Sequence, residues 1–500
     1  MSARRGPPHS SFKSRRRTYY TSWGFPLDRH GDVKYPLSRG IHITIITVDP
    51  ATEETIQSYE LMSREEVFSI VREVDDEYQS WRRLTIEERT VPTRALAGVL
   101  RENQEEWASL MSREMGKPIT ESRAEIEKCA WTAEVYAENA TAWLEDEPVD
   151  ADGKAHSVVY QPLGTILAIM PWNFPFWQAL RFGIPTLLAG NTAVLKHASN
   201  VTGSALAIED VFSRAGFPPN AFRTVITDHA TVAELIGTHI IRGVSLTGSV
   251  EAGRAVAELA GRNLKPTVLE LGGSDPFIVL DDADIESAVK GAVTGRMINT
   301  GQSCIAAKRF MVMEEVVEDF TRRFTKAMEE LVVGDPRDDA TQVGPLVNRA
   351  ALEDMEEVVK DAVDRGAKVE TGGERWGERG FFFKPTVLSG VTADMKVARE
   401  EVFGPVAPIM VIRTEDEAVE VANSLEFGLG GCVWSRDLKR GERIARRIES
   451  GAVFVNNFTK SDPRMPFGGI KDSGIGRELS RFGIREFTNV KGLSIYESEG

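Results

Sequence analysis

Gly164-Thr165-Ile166-Leu167-Ala168-Ile169-Met170-Pro171-Trp172-Asn173-Phe174-Pro175 decides how this chain is organised. An uncharged run that ends in a turn carrying two prolines reads as a buried strand closed by a rigid corner. Ala193 to Leu195, Phe222 to Ile226 and Gly243 to Leu246 repeat the theme, with helical segments between them. Short apolar strands alternating with helices predict parallel βαβ units. The alternation resumes after Pro276 with Phe277 to Leu280, Phe310 to Met313, Val406 to Val411 and Ala452 to Val455. The expected core is therefore α/β, two open parallel-sheet units in tandem that join near Gly272-Gly273. Upstream, Ser63 to about Glu145 shows helical spacing with many Glu-Arg pairs, and Ser63 with Glu66 forms a capping box.

Composition narrows the class. At 500 residues the chain is too long for one core, and its 42% hydrophobic and 27% charged content is that of a globular protein. A net charge of -15 argues against nucleic acid as a partner. Three scattered cysteines, Cys129, Cys304 and Cys432, build neither a disulfide framework nor a zinc site, and a reducing cytoplasm suits them. The histidines have no metal-ligand spacing, so no metal is expected. Ile166 to Leu195 is interrupted by Pro171, Asn173, Pro175, Arg181 and Pro185, so no membrane span is expected either.

Residues 1-40 differ from the rest, with Arg4, Arg5, Lys13, Arg15, Arg16, Arg17, Arg29, Lys34 and Arg39 against only Asp28 and Asp32. There is no apolar stretch of the secretory kind. The composition fits a disordered basic extension, a mitochondrial transit peptide or a start placed too far upstream. Disorder is the expectation, with ordered sequence from about Ile41. The matching localisation is cytoplasmic, or the mitochondrial matrix if the segment is a transit peptide.

The chemistry gathers around Asn299-Thr300-Gly301-Gln302-Ser303-Cys304-Ile305-Ala306-Ala307-Lys308, which follows an expected helix from Ile285 to Met297. Gly301 predicts a flexible approach that leaves the Cys304 thiol on a loop. Glu270 lies in a second Gly-rich turn, Leu269-Glu270-Leu271-Gly272-Gly273-Ser274. A thiol nucleophile with a carboxylate able to activate water points to a covalent thiohemiacetal or thioester; the plain alternative is a small cysteine packed in a loop. Thr247-Gly248-Ser249 closes a strand, and a helix beginning at about Val250 contains Gly253; strand, Gly turn and helix amino end make an anion site. Gly248 and Gly253 alone are not a dinucleotide fingerprint, since any such turn can carry glycine. Lys196 ends another strand, where it could hold ribose or phosphate oxygens or simply be solvated. Asn173, fixed between two prolines, reads as an oxyanion donor or as a cap of the next helix.

Taken together these segments resemble the NAD(P)-dependent aldehyde dehydrogenase superfamily over about residues 43 to 497. The motifs that carry the resemblance are Pro171-Trp172-Asn173-Phe174-Pro175, Lys196, Thr247-Gly248-Ser249 with Gly253, Glu270-Leu271-Gly272-Gly273, Gly301-Gln302-Ser303-Cys304, Glu401-Val402-Phe403-Gly404-Pro405 and Pro466-Phe467-Gly468-Gly469. The resemblance implies two Rossmann-like open parallel-sheet domains with a small β bridging and oligomerisation element. Residues 41-146 and 164-270 would bind NAD(P), residues 271-478 would form the catalytic domain, and residues 147-163 and 479-500 the bridge, with its tail strand at Gly492 to Ser498. It implies that Cys304 attacks an aldehyde, that Asn173 and the Cys304 N–H hold the oxyanion, and that Glu270 activates the hydrolytic water. Glu401 would bind the nicotinamide ribose with Phe403 beside it, Lys196 the adenosine ribose and Ser249 the pyrophosphate. Trp172, Gly248, Gly253 and Leu271 would complete the cofactor site.

Three positions depart from the family pattern. Ser199 stands where NAD-selective members carry Glu, which leaves room for a 2′-phosphate; both NAD and NADP become possible, with a lean to NADP. Leu246 replaces a commoner Phe, a packing change. Ala306, two residues after Cys304, provides no second thiol for a disulfide with the nucleophile. For the substrate, Arg181 and Ser461 match the carboxylate ligands of succinate-semialdehyde dehydrogenases, whereas the second Arg of that group is Ile298 here and Arg296 sits on another helical face. The implied reaction is oxidation of an aldehyde to its acid, succinate semialdehyde to succinate above all. A broad or glyceraldehyde-type enzyme is the rival within the class. A CoA-acylating enzyme has no need of Glu270, and a non-catalytic homologue has no need of Cys304, Glu270, Asn173, Lys196 and Glu401 together. The tail from Lys491 to Glu497 alternates as a strand with no hairpin partner after it, which predicts a homodimer or homotetramer.

Overall fold

A computed structural model describes residues 44–498. The basic extension expected at residues 1-40 and the expected start near Ile41 lie outside the described residues. An antiparallel hairpin, Thr44–Val48 with Thr55–Glu60, leads into the helices Arg64–Trp81, Ile86–Glu102, Gln104–Met115 and Ile119–Leu144. The first begins with the predicted capping box: Ser63 Oγ accepts from the Glu66 N–H at 3.2 Å, and Glu66 accepts from the Ser63 N–H at 2.7 Å. Thr85 and Glu88 repeat the device on the second helix.

The core is α/β, as the alternation of strands and helices predicts. One six-stranded sheet runs, in spatial order, through Gly474–Ile475, Thr267–Glu270, Ile241–Thr247, Thr165–Met170, Thr192–His197 and Phe222–Thr224. All its ladders are parallel except that of Gly474–Ile475. A seven-stranded sheet runs through Lys368–Thr371, Thr386–Ser389, Val406–Ile412, Ala307–Met313, Asp275–Val279, Cys432–Trp434 and Phe454–Val455, parallel apart from its first pair. Alternate residues of its central strands feed separate apolar cores. Phe277, Val279, Phe310 and Val312 pack on one face, and Ile278, Leu280, Met311 and Met313 on the other. A sheet buried on both faces explains why these strands read as continuous apolar runs.

Two features differ from the sequence expectation. The short strand Gly474–Ile475 leaves the second sheet's stretch of sequence and pairs with Leu269 and Glu270 on the first sheet. The tail strand spans Thr488–Ile495 rather than starting at Gly492, and it pairs along its whole length with Ala155–Pro162 of its own chain. In this three-stranded sheet the tail is an edge, with Glu147–Pro148 on the far side. Glu270, at the carboxyl end of its strand, is followed within five residues by Asp275, the first residue of the next sheet. That short link sets the carboxyl ends of the first sheet against the amino ends of the second, where the site lies.

Candidate active site

The strands Thr165–Met170 and Ile241–Thr247 are neighbours at the point where the strand order reverses, the place where open parallel sheets bind ligands. Trp172 and Asn173 follow the first strand, and Gly248 and Ser249 the second. With Leu271, Gly272, Glu401 and Phe403 they line a cavity of about 220 Å³ that reaches Cys304. Ser249 caps the helix Val250–Arg262, its Oγ accepting from the Ala252 N–H at 3.2 Å. Leu271 lies over Gly253, where a Cβ would come within 2.5 Å of it. The Trp172 and Phe403 rings meet edge to face, 5.8 Å between centroids. Lys196 is half-buried at the end of Thr192–His197 and makes no ion pair among the described residues; burial pulls its pKa down. Ser199 is exposed at the start of the turn Ser199–Val201. Neither of the two lines this cavity.

The nucleophile loop is held rather than flexible. The helix Ile285–Met297 ends where expected, and then Asn299 (φ 51°), Thr300 (φ 57°) and Gly301 (φ 77°) turn left-handed in succession. Only surroundings that over-determine it keep a β-branched residue there. The Gly344 N–H donates to Thr300 Oγ1 at 3.0 Å, and Asn299 Nδ2 donates to Asn173 O at 2.8 Å and Gln302 O at 3.2 Å. Buried Arg296 donates to the carbonyls of Gly301, Val402, Gly404 and Ala307. At Gly301 a Cβ would run into the Gly404 carbonyl. Lys308, also buried, donates to Ser303 O at 2.8 Å and Cys304 O at 2.6 Å and stands 3.4 Å from Glu401. Burial pushes the Cys304 thiol up to about 12, while Lys308 and Arg181 pull it down.

Asn173 does not cap the helix Pro175–Leu188, which begins without a side-chain cap. Its amide is oriented by Gln178, whose Nε2 donates to Asn173 Oδ1 at 2.9 Å. One of its own donors reaches Gln302 O at 3.1 Å. Glu270 is buried, and neither carboxylate oxygen has a hydrogen-bond partner among the described residues. Burial first, then the nearby Glu478, pushes its pKa well above the carboxylate range, with Arg181 opposing. Gly468 lies against it: with φ 145°, a Cβ there would come 2.5 Å from Glu270 Oε1.

On the other side of Cys304 a cavity of about 170 Å³ holds both predicted substrate residues, Arg181 and Ser461. Arg181 is no surface arginine. It is buried, ion-paired with buried Glu478, and its guanidinium lies 4.7 Å from the Phe467 ring centre. Ser461 Oγ accepts from Lys128 Nζ at 2.6 Å. Ile298 lines this cavity as well.

Lys128, Lys308, Asn299 and Glu478 had no role in the sequence reading. Lys128 was legible in part: Glu121, Glu125 and Lys128 recur at helical spacing along Ile119–Leu144, and that face lines the cavity. Lys308 and Arg309, two cations opening an otherwise apolar strand, were a second overlooked signal. Among the described residues no cluster of His, Cys, Asp or Glu could hold a metal, and no helix is long and apolar enough to cross a membrane.

A thiol that follows a strained bend lies between two cavities, with a buried carboxylate at the end of the adjoining sheet, an arrangement able to support covalent catalysis. Residues 39–493 match the aldehyde dehydrogenase family, and the chain belongs to it. It is 46% identical over 449 residues to a probable succinate-semialdehyde dehydrogenase (NADP(+)) of Synechocystis sp., covering 90% of this chain and 99% of that relative. It is likewise 46% identical over 450 residues to succinate-semialdehyde dehydrogenase (NADP(+)) 1 of Mycobacterium bovis, covering 89% of this chain and 98% of that one. Among solved structures, the succinic semialdehyde dehydrogenase from Streptococcus pyogenes in complex with NADP+ superposes with a TM-score of 0.88 at 37% identity, covering 91% of this chain and all of that one.

Proposed function

We propose that this chain oxidises succinate semialdehyde to succinate, with NADP+ as the preferred hydride acceptor. The observation that carries the reading is the pair of cavities that meet at Cys304, one lined by Arg181 and Ser461, the other by the Gly248-Ser249 turn, Glu401 and Phe403. The second suits a dinucleotide: it has a helix amino end for phosphate, a carboxylate for a ribose and, beyond it, Lys196 with no ion pair among the described residues. Ser199, neutral and exposed, neither repels a 2′-phosphate nor grips a 2′-hydroxyl. NADP+, when bound, accepts a hydride from the substrate carbon.

This chain's residues supply the rest. Cys304 Sγ bonds to the aldehyde carbon, its proton passing to solvent water. Asn173 Nδ2 and the Cys304 N–H donate to the oxygen that becomes negative. After hydride loss the thioester is hydrolysed by water, from which Glu270 takes a proton. The free edge of the Thr488–Ile495 strand supports assembly into at least a homodimer, and three free thiols suit a reducing cytoplasm.

The test compares kcat/KM for succinate semialdehyde, glyceraldehyde and propanal with each cofactor. The semialdehyde with NADP+ is expected to lead, and a higher value for either other aldehyde would overturn the substrate. Turnover that depends on added CoA would overturn the hydrolytic step. Ser199→Glu should move the cofactor preference toward NAD+; an unchanged ratio would place selectivity elsewhere.

A further inference from the structure

Three cations line the substrate cavity, Arg181, Lys128 and Lys460, and their surroundings separate them. Arg181 forms a buried ion pair with Glu478, so its charge is already matched. Lys117 is paired with Glu125, whose other oxygen accepts from the Trp177 N–H at 2.9 Å. Arg464 is paired with Asp462 at 2.7 Å. Lys460 is exposed; Lys128, half-buried, makes no ion pair among the described residues. Its Nζ donates to the neutral Ser461 hydroxyl and lies 4.4 Å from the Trp177 ring centre, while Arg181 stands 5.8 Å from that same ring.

We infer that Lys128, with Ser461, is the carboxylate-binding residue that sets substrate choice. The inference rests on the proposed oxidation of a carboxylate-bearing aldehyde and names the group that would recognise the acid end. A half-buried ammonium that donates to a hydroxyl and has no carboxylate in ion-pair contact among the described residues is under-compensated, and an incoming carboxylate supplies the closer anion. The aromatic wall excludes water, which strengthens the contact. The position opposite, Ile298, is apolar, so no second cation completes the subsite from the nucleophile's helix. Burial and the neighbouring Arg181 pull the Lys128 pKa down to about 8, against the opposing pull of Cys129, Glu125 and Asp462.

The experiment measures kcat/KM for succinate semialdehyde against butanal, the same carbon chain without the acid, in the full-length enzyme and in Lys128→Met and Lys128→Arg. The semialdehyde-to-butanal ratio should fall at least about tenfold in Lys128→Met, through KM, and stay near the parent value in Lys128→Arg. Succinate should inhibit Lys128→Met correspondingly less. An unchanged ratio in Lys128→Met would overturn the inference, as would equal losses in both variants, which mark a packing effect. A parent enzyme with no preference for the semialdehyde over butanal would instead overturn the proposed function. Should Lys128→Met fail to fold, Lys128→Gln carries the same comparison.

Discussion

At the scale of single residues the proposed mechanism divides the work between Cys304 and Glu270, and the two can be separated kinetically. Glu270→Gln keeps the nucleophile but loses the base, so the acyl enzyme should form and then stall. A burst of NADPH of about one per active site is expected, followed by turnover lowered about a hundredfold or more. Loss of the burst itself would assign Glu270 to the first step. A second prediction concerns pH. Lys128 is faced by Glu125 and Cys129 on its own helix, by Arg181 on Pro175–Leu188 and by Asp462 on the loop that carries Ser461. Its pKa is lowered, so the cation is present below about 8 and is lost as pH rises through that value. The semialdehyde-to-butanal ratio of kcat/KM, which follows the free enzyme, should therefore decline above about pH 8, and Lys128→Arg should flatten the decline. A ratio independent of pH in the parent enzyme would refute this.

Whole elements show why some of this was readable and some was not. The helix Ile285–Met297 and the capping box at Ser63 follow from local rules that act within a few residues, and both appear in the sequence. The two-residue strand Gly474–Ile475 has no periodicity to detect, because its place depends on pairing with Leu269 and Glu270 about two hundred residues earlier. The tail strand was visible as alternation, but its link to residues 147-163 came only from the family resemblance, because no local pattern marks Ala155–Pro162 as its partner. The motif residues could be picked out singly, whereas the burial of Arg181 by Glu478 and the hold of Lys308 on Cys304 depend on packing. The turn at Gly468 offers a test at this scale. A methyl group there would press on Glu270 Oε1, and its φ of 145° is poorly tolerated by other residues. Gly468→Ala should lower kcat about tenfold or more while circular dichroism stays that of the parent. Unchanged kcat would mean the Gly468 turn does not position the carboxylate.

For the molecule as a whole the open edge of the bridging sheet matters most. Val490, Leu493, Ile495 and Tyr496 are exposed along the tail, an apolar edge of the kind that proteins cover. Removing the chain after Phe487 takes away that edge and strips Ala155–Pro162 of its neighbour. Light scattering should give a dimer or larger for the intact chain and a smaller species for the shortened one. A fully active intact monomer would sink the idea.

The helix Ile119–Leu144 carries a consequence of its own. It contributes Glu121, Glu125 and Lys128 to the substrate cavity, yet none of the reacting groups Cys304, Glu270 or Asn173. Part of the proposed recognition of the acid thus resides on a stretch of backbone apart from the reacting groups. A change of substrate acid can therefore be sought on that helix with the bond-making groups left in place. An engineer seeking a different tail on the aldehyde would begin with those same three residues.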